Sequence, residues 1–258
     1  MSGHSWDPER YLTYADERGR PFLDLLSRIH SIDPLRVVDL GCGPGNLTRI
    51  LPERWPGADV LGLDSSPEMI DKARAEHIAG VRFEVADLRG WRPDDPVDVL
   101  VSNATLQWVP GHLELVPELV AQVAPGGWFA FQVPGNFAEP SHLLLHRLGA
   151  DDRYSAHLQG VLRPDAHGPE TYLEALVSLG CEVDAWETTY LHLLPGEDPV
   201  FGWISGTGAR PTLQALPDEP RAEFEKEYKE MLREAYPATS HGTMLPFRRV
   251  FVAARVPA

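Results

Sequence analysis

Val37-Val38-Asp39-Leu40-Gly41-Cys42-Gly43-Pro44-Gly45-Asn46 is the stretch whose reading decides the fold. The apolar run Val37 to Leu40 suits a buried strand. Glycines then alternate at Gly41, Gly43 and Gly45, and Leu47-Thr48-Arg49-Ile50-Leu51 behind them reads as a helix. Strand, glycine loop and helix, in that order, bring a nucleotide-like ligand against bare backbone at a strand's carboxyl end. Glycine is needed there because a side chain blocks the approach or because the backbone takes positive φ. A tight turn without a ligand is the plainer alternative for any glycine cluster.

The spacing narrows the ligand. A dinucleotide fingerprint, G-x-G-x-x-G/A, needs a small residue at position 46, where the helix packs on the strand and receives pyrophosphate. Asn46 stands there instead, and the strand delivers an acid, Asp39, just before the loop. An acid suits a ligand with a cationic group and no phosphate. Asp39-Leu40-Gly41-Cys42-Gly43-Pro44-Gly45 resembles the first motif of class I S-adenosylmethionine-dependent methyltransferases, whose cofactor carries a sulfonium, an α-ammonium and an adenosine.

The chain around the motif is long enough for a substantial core: 258 residues, 43% hydrophobic and 24% charged, ordinary values for a globular protein. No apolar run reaches the roughly 18 residues of a membrane span, and Met1 to Asp7 lacks the basic and apolar segments of a signal peptide. The two cysteines, Cys42 and Cys181, suit a reduced, cytoplasmic protein, since Cys42 lies inside the glycine loop where a disulfide is awkward. The net charge of −15, with no Lys/Arg cluster, disfavours nucleic-acid partners. It also sets a condition: a pocket for an anionic acceptor must gather cations locally against the field of the whole molecule.

Taken in order, Asp7-Pro8 caps a first helix, and Phe22 to Ile29 is amphipathic. In the methyltransferases that the motif resembles, N-terminal helices lie over the cofactor. The resemblance therefore suggests Tyr11, Arg18 or Arg20 near its methionine end, with Tyr11 also a candidate for the acceptor; a solvated helix face is the alternative for the arginines. Asp59 to Asp64 is a second strand. Its terminal acid lies close to the spacing of about 20 residues at which a carboxylate accepts from ribose hydroxyls, with Ser65 beside it and Ser65 or Ser66 capping the next helix. A purely capping role is the alternative for Asp64. Val81 to Val85 alternates as a strand ending in Asp87-Leu88, which the resemblance places at the adenine. Val97 to Val101 continues into Ser102-Asn103-Ala104-Thr105-Leu106-Gln107-Trp108. Asn103 falls where the fold faces cofactor and substrate. The Asn/Asp-Pro-Pro-aromatic signature of amino-group methylation is absent, and Gln107 and Trp108 are exposed-loop candidates for the acceptor pocket. Trp128 to Val133 is a fifth strand, and strands alternating with helices argue for a parallel sheet of βαβ units.

After Pro134 the alternation stops. Helices are expected over 139–148, 169–179 and 219–236, a long strand over 181–194, and a last strand over 247–254. The expectation is an α/β, Rossmann-like, seven-stranded class I methyltransferase sheet with its last strand antiparallel, plus a helical lid. It forms one domain, 1–258, with a helical cover over 1–30 and lid insertions over 135–180 and 195–246. His142 and His146 lack a supporting acid motif and read as a helix face, and no metal site is expected.

Gln107-Trp108, Cys181 to Tyr190 and Thr207-Gly208-x-Arg210-Pro211 are more particular than the cofactor motifs. With them, nearly the whole chain resembles those members of the class that esterify a carboxylate of a small tricarboxylate. The resemblance implies S-adenosylmethionine as donor, S-adenosylhomocysteine as product, and a monomeric or simply dimeric enzyme. No acid or base is expected, because a carboxylate of pKa about 4.3 is already ionised at neutral pH. Arginine's planar fork best fits the carboxylates that do not react. Arg210 is the first candidate, with Trp203, Gln107 and Trp108 as walls and donors; a structural ion pair is the alternative for Arg210. Another small acid or a phenol as acceptor stays open. A nucleotide-binding oxidoreductase or a non-catalytic nucleotide sensor is disfavoured by Asn46 and by the acids Asp39, Asp64 and Asp87.

Overall fold

The computed structural model describes residues 15–258; Tyr11 and the expected Asp7 cap lie outside them. Helix α1 (Ala15–Leu26) precedes β1 (Arg36–Leu40), the glycine loop, α2 (Ile50–Arg54), β2 (Asp59–Asp64), α3 (Pro67–Ala75), β3 (Val81–Val85) and β4 (Val97–Asn103). Then come α4 (His112–Val120), β5 (Val123–Pro134), α5 (Pro140–Gly149), α6 (Asp152–Ser155), α7 (Pro169–Val177) and β6 (Glu182–Leu194). Helices α8 (Pro199–Ser205), α9 (Arg210–Ala215) and α10 (Asp218–Ala235) lead to β7 (Ala238–Thr239) and β8 (Gly242–Arg255).

One sheet runs in the order β3-β2-β1-β4-β5-β8-β6, with the two-residue β7 paired to β8 off this path. Strands β1 to β5 are parallel, whereas β8 is antiparallel to both β5 and β6. This is the expected α/β sheet. The strand order reverses between β1 and β4, and such a switch point opens a crevice at the strands' carboxyl ends.

The period-two alternation of the strands serves two faces. Val38, Leu40, Leu100, Phe129, Phe131, Val250 and Val252 pack on one side with Val116 and Leu119 of α4 and Tyr172 and Leu176 of α7. Val37, Val60, Val99, Val101, Ala130, Phe251 and Ala253 pack on the other with Phe22, Leu25 and Leu26 of α1 and Leu51 of α2. Ser66 caps α3, its side chain accepting from the Met69 amide at 3.2 Å, with Pro67 in the first turn.

A separate apolar cluster joins Leu145 and Leu148 of α5, Tyr154 of α6, Trp203 and Ile204 of α8, Leu213 of α9, and Phe224, Tyr228 and Leu232 of α10. It sits beyond the carboxyl edge of the sheet and includes Leu194 and Leu245 from the ends of β6 and β8. Two expectations shift here. Only the first half of 135–180 joins this cluster, because Tyr172 and Leu176 turn the second half onto the sheet. The last strand begins at Gly242, five residues before Phe247, and Pro246 is accommodated where β8 is bordered by β6 alone.

Candidate active site

Two spaces meet at the carboxyl ends of β1, β2 and β4. The larger, about 660 Å³, is lined by Gly41, Gly43, Asp64, Ser65, Met69, Asp87, Leu88, Asn103, Ala104, Thr105 and Trp108, among others. The second is narrower and lined by Gln107, Gln132, Phe137, His142, Trp203, Thr207, Phe247 and Arg249, among others. Asn103, Ala104 and Trp108 line both, so the two spaces share a wall.

The glycine loop shapes the first space. Gly41 has φ +75° and Gly43 φ +56°, both in the left-handed region. A Cβ on Gly41 would lie 2.1 Å from Thr105 Oγ1, whereas one on Gly43 would meet nothing within 4 Å. The bare backbone of Gly43 therefore forms an open cradle. Asp64 braces it, its carboxylate accepting from the Gly43 and Ser66 amides at 2.9 Å each. Burial raises the Asp64 pKa, opposed by the backbone hydrogen bonds from Ser66, Gly43 and Ser65.

Two expected cofactor residues, Asp39 and Arg20, lie outside the lining of either space. Asp39 is 3% exposed and lies outside the lining of either space. Its Oδ2 accepts from Thr48 Oγ1 at 2.8 Å, and its buried Oδ1 has no hydrogen-bond partner among the described residues. Burial pushes its pKa up to about 7, opposed by the Thr48 bond and helped by Asp64. It supports the loop from behind. Arg20 packs over the Tyr190 ring at 5.0 Å and reaches Asp24 at 3.9 Å; it lines neither space but a third one, beside Pro44 and Asn46 of the glycine loop. Asp87 lines the cleft as expected, and its oxygens also accept from Arg89 Nε at 3.0 and 3.1 Å.

The second space gathers the rest. Gln107 is buried, not exposed, on a single 3₁₀ turn, Leu106–Trp108, and its Nε2 donates to the Ala104 carbonyl at 2.6 Å. Ala104 itself has φ +54°, a strained value for a residue with a Cβ, at the junction of the two spaces. Trp203 is 2% exposed and forms a wall. Arg210 is buried at the start of α9 but does not line the space, which is bounded nearby by Thr207 and Gly208. The arginine that lines it is Arg249, 6% exposed, stacked over Phe247 at 4.7 Å and donating from Nη1 to Gln132 Oε1 at 3.3 Å. Gln132 Nε2 donates in turn to Asn103 Oδ1 at 2.6 Å. His142 also lines the space, and burial, aided by His146, pushes its pKa down to about 4, so it is neutral at pH 7.

Arg249 and Gln132 escaped the sequence reading, and His142 was read there only as part of a helix face. The available signal for two of them was a polar residue inside an apolar strand run: Gln132 within Phe129 to Val133, and Arg249 before Val250-Phe251-Val252. Among the described residues, no group of three or more His, Cys, Asp or Glu is placed to hold a metal ion, and no helix is long and apolar enough to cross a membrane.

Residues 37–127 match the family model described as a methyltransferase domain. A trans-aconitate 2-methyltransferase of Streptomyces avermitilis is 55% identical, with 97% of this chain and 96% of that protein covered. One of Mycobacterium tuberculosis is 47% identical, with 97% of each covered.

This chain belongs to the trans-aconitate 2-methyltransferase family.

The fold agrees. The crystal structure of YcgJ from Bacillus subtilis superposes with a TM-score of 0.59 at 13% identity, covering 94% of this chain and 99% of that one. Phosphoethanolamine N-methyltransferase 2 of Haemonchus contortus, solved with phosphomonomethylethanolamine and S-adenosylhomocysteine, gives 0.56 at 17% identity, covering 93% of this chain and 53% of that one.

As a member of this family the chain is an S-adenosylmethionine-dependent methyltransferase. The larger space fits that cofactor. Its volume is in the range of roughly 300–1,000 Å³ for small-molecule sites, the Gly43 cradle is open, and an acid closes β2 where ribose hydroxyls need an acceptor.

Proposed function

We propose that this chain esterifies one carboxylate of trans-aconitate, releasing the monomethyl ester and S-adenosylhomocysteine. The observation that carries the acceptor class is Arg249, a buried cation in the space that adjoins the cofactor cleft. The particular acid comes from the shared name of the relatives.

S-adenosylmethionine supplies an electrophilic methyl group on a sulfonium. Gly41 and Gly43 present backbone to it, Asp64 and Ser65 take the ribose side, and Leu88 and Met69 wall the base. Asp87 stays paired with Arg89. The acceptor oxygen forms its bond to the methyl carbon as the methyl–sulfur bond breaks, and no proton moves. A carboxylate is ionised at pH 7, so the site needs no general base. What it must supply is alignment, and for well-oriented pairs that is worth roughly 7–11 kcal/mol.

Charge is lost in this step, because the anionic oxygen and the cationic sulfonium neutralise each other. A strong cation on the reacting carboxylate would stabilise the ground state more than the transition state. We therefore assign Arg249 to a carboxylate that does not react. There its fork anchors the acid, while Trp203, Trp108 and Phe247 exclude water. Gln107 and Thr207 complete the polar wall. The neutral imidazole of His142 adds no competing charge.

The test is transfer of labelled methyl from S-adenosylmethionine to trans-aconitate, with cis-aconitate, citrate and a phenol in parallel. The expected result is base-labile label on trans-aconitate, with lower kcat/KM for the other acids and none on the phenol. Label on the phenol alone would overturn the carboxylate assignment.

A further inference from the structure

Three polar side chains stand where one apolar face of the sheet ends. Asn103 of β4, Gln132 of β5 and Arg249 of β8 continue the face that carries Val101, Ala130 and Phe251. Asn103 lies directly opposite Gln132 in the ladder, and Gln132 opposite Phe251, two positions beyond Arg249. The Gln132 carbonyl also accepts from the Ala104 amide at 2.9 Å. With 1% and 6% exposure, Gln132 and Arg249 are out of reach of bulk water.

Gln132 and Arg249 are buried and Asn103 is half-buried, and the direction of each hydrogen bond along the row starts from Arg249. Arginine only donates and stays protonated. Gln132 must therefore face Arg249 with Oε1, as it does at 3.3 Å. Its amide is planar, so Nε2 faces the other way, and only an oxygen of Asn103 can receive it, as Oδ1 does at 2.6 Å. The Nδ2 hydrogens of Asn103 are left for the junction that it lines between cofactor cleft and acceptor space. Turning the Gln132 amide over would set its N–H groups against Arg249 and its oxygen against Asn103 Oδ1, where at 1% exposure no water can satisfy them.

We propose that Gln132 is a positioning residue that makes the site selective for a carboxylate: held by Arg249, it turns the Asn103 amide so that N–H meets the reacting group of the acceptor. The inference rests on the carboxylate reading above. A carboxylate oxygen only accepts, so an N–H donor at the junction fits it. An amine or an un-ionised hydroxyl must place its own hydrogen on an acceptor, and the Asn103 amide turned this way offers none. A neutral amide also holds the nucleophile without the Coulombic grip of a guanidinium, which suits a step in which the negative charge disappears.

Gln132→Glu tests this. It keeps the size and an oxygen for Arg249, but puts an oxygen where Nε2 faced Asn103, so the Asn103 amide turns over and offers Oδ1 to the acceptor. The expected result is a kcat on trans-aconitate lower by about tenfold or more, with the Kd for S-adenosylhomocysteine within about twofold of the parent. Gln132→Met is the companion variant. It removes both hydrogen bonds and leaves Asn103 free to turn either way, so its loss of kcat is smaller than that of the Glu variant. The Glu carboxylate also neutralises Arg249 and raises the KM for trans-aconitate, so the two variants are compared by kcat at saturating acceptor; a merely structural role lowers Tm in both and leaves kcat per folded enzyme equal in the two. Unchanged kcat in Gln132→Glu, a loss confined to KM, or Met equal to or worse than Glu overturns the proposal while methylation by the parent protein stands. No transfer by the parent protein to any acid overturns both this proposal and the carboxylate reading.

Discussion

Arg249 shows how a chain of net charge −15 can still hold an anion. A single guanidinium is enclosed at the edge of the sheet, where low exposure strengthens its field. Replacing it with Met keeps the apolar stem and removes the charge. Arg249→Met should raise the KM for trans-aconitate by about tenfold or more with the Kd for S-adenosylhomocysteine unchanged, and Arg249→Lys should recover only part, because an ammonium lacks the fork. Steady-state kinetics and calorimetric titration check both. The sequence drew attention to Arg210, whose neighbours Thr207 and Gly208 do line the space; which of two arginines faces a cavity depends on the turn from α8 into α9, and spacing alone does not fix that turn. Asp39 gives a second prediction. The folded protein keeps its proton up to about pH 7, while an unfolded chain loses it near the ordinary value of 3.8. Folding therefore takes up a proton between those values, and the contribution of Asp39 to stability, full below the lower value, is lost as pH rises through the upper one. The stability of Asp39→Asn relative to the parent should rise across that window and then level off. Urea midpoints at several pH values measure it, and a constant difference would mean that Asp39 is ionised throughout.

At the scale of the element, the glycine loop was legible because its demands are local. Positive φ at Gly41 and Gly43 follows from the sharp exit of β1, and the sequence marks it with glycine at both positions. The two differ in what surrounds them. At Gly41 a methyl group collides with Thr105, which also donates to the Gly41 carbonyl at 3.2 Å. At Gly43 it enters open space. Gly43→Ala should cost the left-handed backbone penalty alone, about 1–2 kcal/mol or a few degrees of Tm, and weaken S-adenosylhomocysteine by intruding on the cradle. Gly41→Ala adds overpacking of about 1–3 kcal/mol and should lower Tm further. Scanning calorimetry with and without the ligand separates the two costs, and equal Tm losses would contradict the clash at Gly41. Helix α1 was harder to read. Its apolar positions Phe22, Leu25 and Leu26 fit any apolar partner, and only the folded sheet shows that they cover β1, β4, β5 and β8.

On the scale of the molecule, the sheet core and the helical cluster of α5, α6, α8, α9 and α10 are separate apolar units, and the acceptor space lies between them, walled by Trp203 on one side and by Gln132 and Arg249 on the other. Separate cores open at different free energies. Ligand bound at their junction should therefore slow amide exchange in α8 and α5 far more than in β1, β4 and β5. Hydrogen exchange with S-adenosylhomocysteine and trans-aconitate together reads this directly; equal protection of both units would show that they open as one. The amino-acid sequence by itself determined the fold class, the cofactor class and the register of the motifs, because these rest on short-range patterns: a strand period, a glycine loop, and acids closing successive strands. Only the tertiary structure decided the acceptor side. Asn103, Gln132 and Arg249 come from three strands far apart in the chain, and the antiparallel insertion of β8 between β5 and β6 sets them on one face. Polar atoms there must satisfy one another once water is gone, and that constraint exists only when the strands are side by side.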